Sequence, residues 1–215
     1  MKVNSDGVLL GAAVALDSDT RRILDVGTGT GTIALMVAQR REGICTDYTI
    51  TGIDIDSPSA EEAGENFAAS PWAGHLHAQN IPLQELDAAD ASLDLVISNP
   101  PYFDDSLQNP DPRESMARHT SSLGYRDLAI FSSRALRDGG ILALILPSDV
   151  EKALVRECRS RNLLLKKITH VRTSIRKQPK RIIAEFQKGF KGTAEERLLT
   201  LGSEEYTELI KDFYL

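Results

Sequence analysis

Short apolar runs alternate along the chain with stretches in which apolar residues return every three or four positions. The runs suit strands covered on both faces and the periodic stretches suit helices packed on them, so the chain reads as repeated strand–helix units. Strands are predicted at 22–26, 48–54, 75–80, 93–98 and 141–146. The run 93–98, Leu-Asp-Leu-Val-Ile-Ser, is nearly all apolar, as a central strand is. Helical patterns fill 32–41, 58–69, 123–136 and 151–161, with Gly139-Gly140 separating the third from the strand after it. Further on, 166–173 and 180–186 flank Gln178-Pro179 and predict an antiparallel pair, and 204–215 reads as a short amphipathic tail. The outcome is an α/β, Rossmann-like fold: one domain over 1–215, with a mostly parallel seven-stranded sheet and a C-terminal antiparallel hairpin. No internal repeat, low-complexity stretch or long linker divides it.

Composition alters this picture only through charge. The longest apolar runs fall short of the ~20 residues that span a membrane, and the first residues lack the charged-then-apolar pattern of a signal peptide. Two cysteines and four scattered histidines offer neither a disulfide framework nor metal-ligand spacing. A cytoplasmic, metal-free monomer is expected. The net charge of −6 hides an asymmetry: residues 1–150 hold 10 Lys and Arg against 22 Asp and Glu, whereas 151–191 hold 13 against 3. Lys166, Lys167, Arg172, Arg176, Lys177, Lys180 and Arg181 dominate that second block. A dense, local cluster on an otherwise acidic chain predicts a phosphate-binding face, with a solvated face balancing the acidic half as the plainer alternative.

Between the first strand and its helix lies Asp25-Val-Gly27-Thr-Gly29-Thr-Gly31. Glycines there let the backbone turn tightly and approach a ligand with no Cβ in the way. Asp54 closes the next strand, where an acid reaches the two ribose hydroxyls of a bound nucleoside. A nicotinamide dinucleotide competes for this reading, but it normally needs Gly-x-Gly-x-x-Gly, and a carboxylate at Asp25 would repel its pyrophosphate. The same carboxylate tolerates or attracts the cationic amino and sulfonium groups of S-adenosylmethionine. Asp56, two residues beyond Asp54, reads as the acid that opens the following helix.

Asn99-Pro100-Pro101-Tyr102 follows the most apolar strand. Two prolines lock the backbone and remove two amide donors, so carbonyl groups point outward without competition. Alkylation of a planar amine needs such a site, because the lone pair of an adenine amino group or a carboxamide is delocalised. The Asn99 side-chain oxygen and the Pro100 carbonyl can take both amine hydrogens and hold the nitrogen in line with a methyl group. Tyr102 can stack on the substrate's planar face, with Phe103 as a second wall. Alone, the motif could be a proline-rich turn. Joined to the glycine loop upstream, it predicts an amino-methyltransferase.

The opening Lys2-Val-Asn-Ser5-Asp6-Gly7-Val-Leu-Leu-Gly11 resembles the start of the bacterial tRNA1(Val) (adenine(37)-N6)-methyltransferase family. So do Asn66, Ser70-Pro71-Trp72-Ala73, Ser98 to Phe103, Arg113, Ala117-Arg118-His119-Thr120, Pro147, and the terminal Tyr206, Phe213-Tyr214-Leu215. The resemblance covers essentially the whole chain and implies a class I methyltransferase fold that methylates the 6-amino group of an adenosine beside the anticodon. It implies that Asp25, Gly27, Gly29, Gly31 and Asp54 bind the donor, with Lys2, Ser5 and Asp6 folding over its methionine end. Asn80 stands where relatives often carry Asp, and its side-chain oxygen can still bond the donor's adenine. Family members usually carry residues before Lys2, so a true start at Met1 implies a shorter lid, and a start that is not the natural one implies that part of the site is missing.

An anticodon-loop adenosine is already partly unstacked, so bringing it into a pocket costs little. Arg172, Arg176, Lys177, Lys180 and Arg181 are then expected to grip the anticodon arm, and Arg118, with Arg113 and His119, either touches RNA or simply tips a surface loop. Two other functions stay open. A protein glutamine methyltransferase would use the same turn on a carboxamide, although those enzymes usually carry an N-terminal helical domain for which residues 1–24 leave no room. A non-enzymatic RNA-binding protein with a vestigial donor fold has no physical need for so complete a set of site residues.

Overall fold

One sheet runs through the molecule. It is built from β1 (Arg22–Val26), β2 (Thr49–Asp54), β3 (Leu76–Asn80), β4 (Leu93–Ser98), β5 (Leu136–Pro147), β6 (Leu163–Arg172), β7 (Arg181–Lys188) and β8 (Glu195–Thr200). Their order is β3-β2-β1-β4-β5-β7-β6-β8 in the computed structural model, which describes residues 5–101 and 123–213. Only β7 runs against the others; it pairs antiparallel with both β5 and β6. The expected hairpin is therefore present, but the sheet has eight strands rather than seven. The eighth, β8, adds in parallel to β6 at the sheet's edge. Of its six residues only Leu199 is buried, so it carries no alternation of apolar and polar positions to reveal it.

Helices cover both faces. The described ones are α1 (Ser5–Ala13), α2 (Thr32–Arg41), α3 (Ser57–Ala69), α4 (Tyr125–Ala135), α5 (Glu151–Arg159) and α6 (Glu204–Ile210). Alternate residues of β5 separate the two cores. Ile141, Ala143 and Ile145 pack with Leu9 and Leu10 of α1 and with Ile33 and Val37 of α2. Leu142, Leu144 and Leu146 pack with Leu128 of α4 and Leu154 of α5. Burying such side chains contributes roughly 1.5–3 kcal/mol each, and the sheet collects that gain on both faces.

Asp94 is the one charged residue in the otherwise apolar β4, and it is buried. Its Oδ2 accepts from the backbone amides of Arg21 and Arg22, at 3.0 and 2.7 Å, and its Oδ1 accepts from Arg137 Nε at 2.5 Å. Burial opposes its charge, but these amides and guanidinium groups outweigh that and hold its carboxyl below the usual range. The bond network ties the starts of β1, β4 and β5 at the edge away from the motifs. No helix of the described residues is long and apolar enough to cross a membrane.

Candidate active site

The strand order turns at β1 and β4. From β1 the chain winds outward to β2 and β3, and from β4 it winds the other way. Helices after the two strands leave on opposite faces, which opens a crevice at their carboxyl ends, the place where open α/β sheets bind ligands. Both sequence motifs sit there. Val26 and Ser98 are in register, so the glycine loop and the Asn-Pro turn leave neighbouring strands side by side. The Ser98 hydroxyl donates to the Val26 carbonyl at 2.7 Å in a buried bond that joins the two.

In the loop, Gly27, Gly29 and Gly31 all have positive φ, at 71°, 57° and 82°. Gly31 is doubly constrained, because a Cβ there would stand 2.4 Å from Phe67 on α3. The amides of Gly27 and Thr28 both donate to the Ile53 carbonyl at 2.9 Å, anchoring the loop to the end of β2. Asp25 is 0% exposed, and its Oδ2 accepts from the Thr28 hydroxyl at 2.7 Å. Burial pushes its carboxyl up to about 7, against the opposing pull of that hydroxyl. The Ala34 amide also favours the charged form but makes no well-formed hydrogen bond, so Oδ1 is left without a partner.

Thr28 is a site residue that the sequence reading missed, and Gly52 is another. A Cβ on Gly52 would lie 2.7 Å from the Thr28 hydroxyl oxygen, so only glycine lets Thr28 reach Asp25. The available signal was a glycine inside an otherwise apolar strand, which marks a close approach.

Asp54 ends β2 as expected, with Oδ2 accepting from the Gly29 amide at 2.9 Å and Oδ1 from the Asp56 amide at 3.0 Å. Both oxygens keep a second lone pair for hydroxyl donors. Asp56 caps α3, accepting from the Ser59 amide and hydroxyl at 3.0 and 2.7 Å, in line with its reading as the helix-opening acid. Asn80, at the end of β3, donates through Nδ2 to the Asp54 and Ile55 carbonyls at 3.0 Å each. Those bonds fix its amide, with the oxygen left as an acceptor. Ile55 lies between the two acids and is 62% exposed, an apolar wall in the crevice that the sequence reading passed over. Its signal was an apolar residue directly after the strand's terminal acid.

Asn99 is half-buried, Pro100 buried and Pro101 exposed. Helix α1 was not anticipated, because it is buried along most of its length and shows no amphipathic period. Its first turn lies against the Asn-Pro turn: a Cβ on Gly7 would lie 3.9 Å from Asn99 Nδ2. Ser5 is exposed at its start, and Asp6 Oδ2 accepts from Arg181 Nε at 2.9 Å. Lys2, Tyr102, Phe103 and Arg118, with Arg113 and His119, lie outside the described residues.

The basic block divides when folded. Arg172, Arg176, Lys177, Lys180 and Arg181 stand at the end of β6, the start of β7 and the loop between, on the same edge as Asn99 because Arg181 pairs with Pro147 at the end of β5. Arg181 is also tied to Asp6. Lys167 turns inward, with its ammonium on Glu185 Oε1 at 3.0 Å and the Ala13 carbonyl at 3.2 Å. Lys188, at the far end of β7, donates to the Leu136 carbonyl on the opposite edge.

Together, the orphaned Asp25 oxygen, the acceptors of Asp54 and Asn80, and exposed Ile55 fit a nucleoside carrying a cationic tail. Among the described residues no group of three His, Cys, Asp or Glu side chains could hold a metal ion. A family model described as the methyltransferase small domain matches residues 7–153. A tRNA1(Val) (adenine(37)-N6)-methyltransferase of Parabacteroides distasonis is 40% identical over 222 residues, covering 100% of this chain and 91% of that protein. One of the same name from Salmonella arizonae is 33% identical, with coverage of 100% and 89%. Among solved structures, an Agrobacterium tumefaciens protein described as a predicted O-methyltransferase aligns with a TM-score of 0.70 at 21% identity, over 96% of this chain and 95% of that one. A geranyl diphosphate methyltransferase in complex with its methyl donor aligns with a TM-score of 0.58 at 12% identity, over 85% and 84%. At such identities the structural likeness bears on the fold alone.

Proposed function

Since the chain belongs to the methyltransferase small-domain family, and within it to the tRNA1(Val) (adenine(37)-N6)-methyltransferases, we propose that it transfers a methyl group from S-adenosylmethionine to the N6 amine of an adenosine in tRNA. The observation that carries this reading is the register of β1 and β4, which sets the donor loop beside Asn99 and Pro100. The finer assignment is adenosine 37 in the anticodon arm of a valine tRNA, methylated by a single chain in the cytoplasm. The relatives' names support the tRNA and the position, and the basic edge beside the turn supports an RNA substrate. The carboxamide of a protein glutamine suits the same turn, but the tRNA-modifying relatives match the whole of this chain.

S-adenosylmethionine, when bound, supplies a methyl group activated by its sulfonium. Asp54 would accept from its ribose hydroxyls and Asn80 from its adenine amine, and Ile55 would cover its base. Asp25 sets a negative field beneath the loop, balancing the cationic end. Asn99 Oδ1 and the Pro100 carbonyl accept the two hydrogens of the target amine, which holds its nitrogen in place and draws its lone pair out of conjugation. Rigid positioning of this kind supplies several kcal/mol of the barrier without a strong base.

Nucleoside mass spectrometry of tRNA incubated with enzyme and donor tests the reading. The expected product is N6-methyladenosine at one mapped position, reduced at least a hundredfold by Asn99→Ala. Methyl incorporation into release factors and not into tRNA would overturn it.

A further inference from the structure

An open cleft of about 440 Å³ lies beside the loop that joins β6 to β7. Arg172 lines it from the end of β6, Ile175, Arg176 and Lys177 from that loop, and Glu196, Arg197 and Leu198 from the edge strand β8. Ile175 is 76% exposed and Leu198 48% exposed, so two large apolar side chains face water across one basic cleft. Scattered exposed apolar residues need no explanation, but a pair inside a cationic cleft matches a ligand that is both planar and anionic.

The cleft also has a direction. His170 pairs with Leu198 and Ile168 with Glu196, so Glu196 lies further from the sheet edge than the loop with Arg176 and Lys177. An anion is favoured at the loop end by Arg176 and Lys177, while at the β8 end Glu196 and Arg197 together offer an acceptor and a donor to the edge of a base. The loop itself is braced: Arg172 Nε donates to Thr200 Oγ1 at 2.8 Å and its Nη1 to the Ile175 carbonyl at 3.2 Å. Arg176 and Lys177 make no ion pair with any described residue.

We propose that this cleft binds a second nucleotide of the substrate RNA, with its base between Ile175 and Leu198 and its phosphate at Arg176 and Lys177. The proposal rests on tRNA being the substrate. From β4 the cleft is three to four strands along the same edge, about 15–20 Å at the usual strand spacing. The target adenine at Asn99 cannot reach it, whereas a splayed neighbour in the same loop can. Sequence-reading modules hold unstacked bases in this way, between apolar or aromatic side chains and phosphate-binding cations.

The double variant Ile175→Ser/Leu198→Ser tests this at exposed positions that carry little of the core. Filter binding and steady-state kinetics on unmodified tRNA should show Kd and KM raised about tenfold, the loss of one stacked base. The turnover number at saturating tRNA and the affinity for S-adenosylmethionine should stay unchanged, as should the salt dependence of tRNA binding. In an anticodon arm carrying 4-thiouridine, cross-links should map to the peptide containing Ile175. Unchanged tRNA affinity in a variant that still methylates overturns the cleft while leaving the enzyme's substrate intact. So does a dimer, seen by sedimentation velocity, that the double variant abolishes, which would assign the cleft to a second copy of this chain. A wild-type enzyme that methylates no tRNA would instead fail the substrate reading itself.

Discussion

Asp25 shows how a single side chain can couple donor binding to pH. An isolated carboxyl titrates near 4, but burial moves this one to about 7, so the folded protein holds a proton between those values that the unfolded chain has released. Stability from this group is therefore greatest at low pH and falls as pH rises toward 7. Donor binding runs the opposite way, because a cation above the loop favours the charged carboxylate. The dissociation constant for S-adenosylmethionine should fall as pH rises from 5.5 to 7, by at most about tenfold per unit, and level off above that. The donor's own amino group titrates near 8, so Asp25→Asn is the control, and calorimetry should find the slope below pH 7 lost in it. A slope that survives in the variant would remove Asp25 from the linkage. Asp25 and the three glycines were legible from the sequence because residue type and spacing alone define a tight turn under a charge. Thr28 and Gly52 were not, because their role exists only where β1 and β2 lie side by side.

At the scale of elements, α1 behaves as a clamp with unequal ends. Its C-terminal end is held by buried groups: Arg40 donates to the Gly11 carbonyl at 2.8 Å, Lys167 to the Ala13 carbonyl, and Glu185 accepts from the Ala15 amide at 3.2 Å. Its N-terminal end, over Asn99, is tied to the start of β7 by the partly buried Asp6–Arg181 pair, at the rim of the fold. Such a pair is worth roughly 0.2–1 kcal/mol after screening. Arg181→Ala should therefore raise the KM for the donor about two- to fivefold, with a smaller change in tRNA affinity. The reverse split would return Arg181 to the RNA face that the run of basic residues predicts. Strands buried on both faces were readable as apolar runs. Helix α1 escaped because the same burial leaves it no polar stripe, and β8 because an edge strand buries almost nothing.

For the whole molecule, parts of the acidic and basic stretches of the sequence come to two ends of one sheet edge. Asp25, Asp54 and Asp56 stand about the glycine loop and the cations of the β6–β7 loop sit further along the same edge, whereas Asp19, Asp47 and Asp94 lie at the opposite edge. RNA binding should then depend steeply on salt. Replacing Arg176, Lys177 and Lys180 together by Ala should weaken tRNA binding and lower the slope of log K against log salt by about 2, since each single-strand phosphate contact contributes about 0.7. An unchanged slope in filter-binding titrations would move the phosphate contacts elsewhere. The charge block itself was visible in the sequence, but its division was not. Lys167 and Lys188 point inward or to the opposite edge once β6 and β7 pair, and linear charge counting cannot separate them from their neighbours.

The strand order also bears on how such an enzyme changes its client. The match to the methyltransferase small domain ends at residue 153, early in α5, so β6, β7 and β8 form a wing beyond the matched residues, while the relatives align along the whole chain. These strands extend the sheet from β5 without touching β1 or β4. Substitutions on the outer strands of this wing can therefore reshape that end of the sheet while leaving the register of β1 and β4 intact. The Asp6–Arg181 bridge is one of the bonds that join this wing to the site, with Lys167 to the Ala13 carbonyl as another, and a reshaped wing would have to keep both.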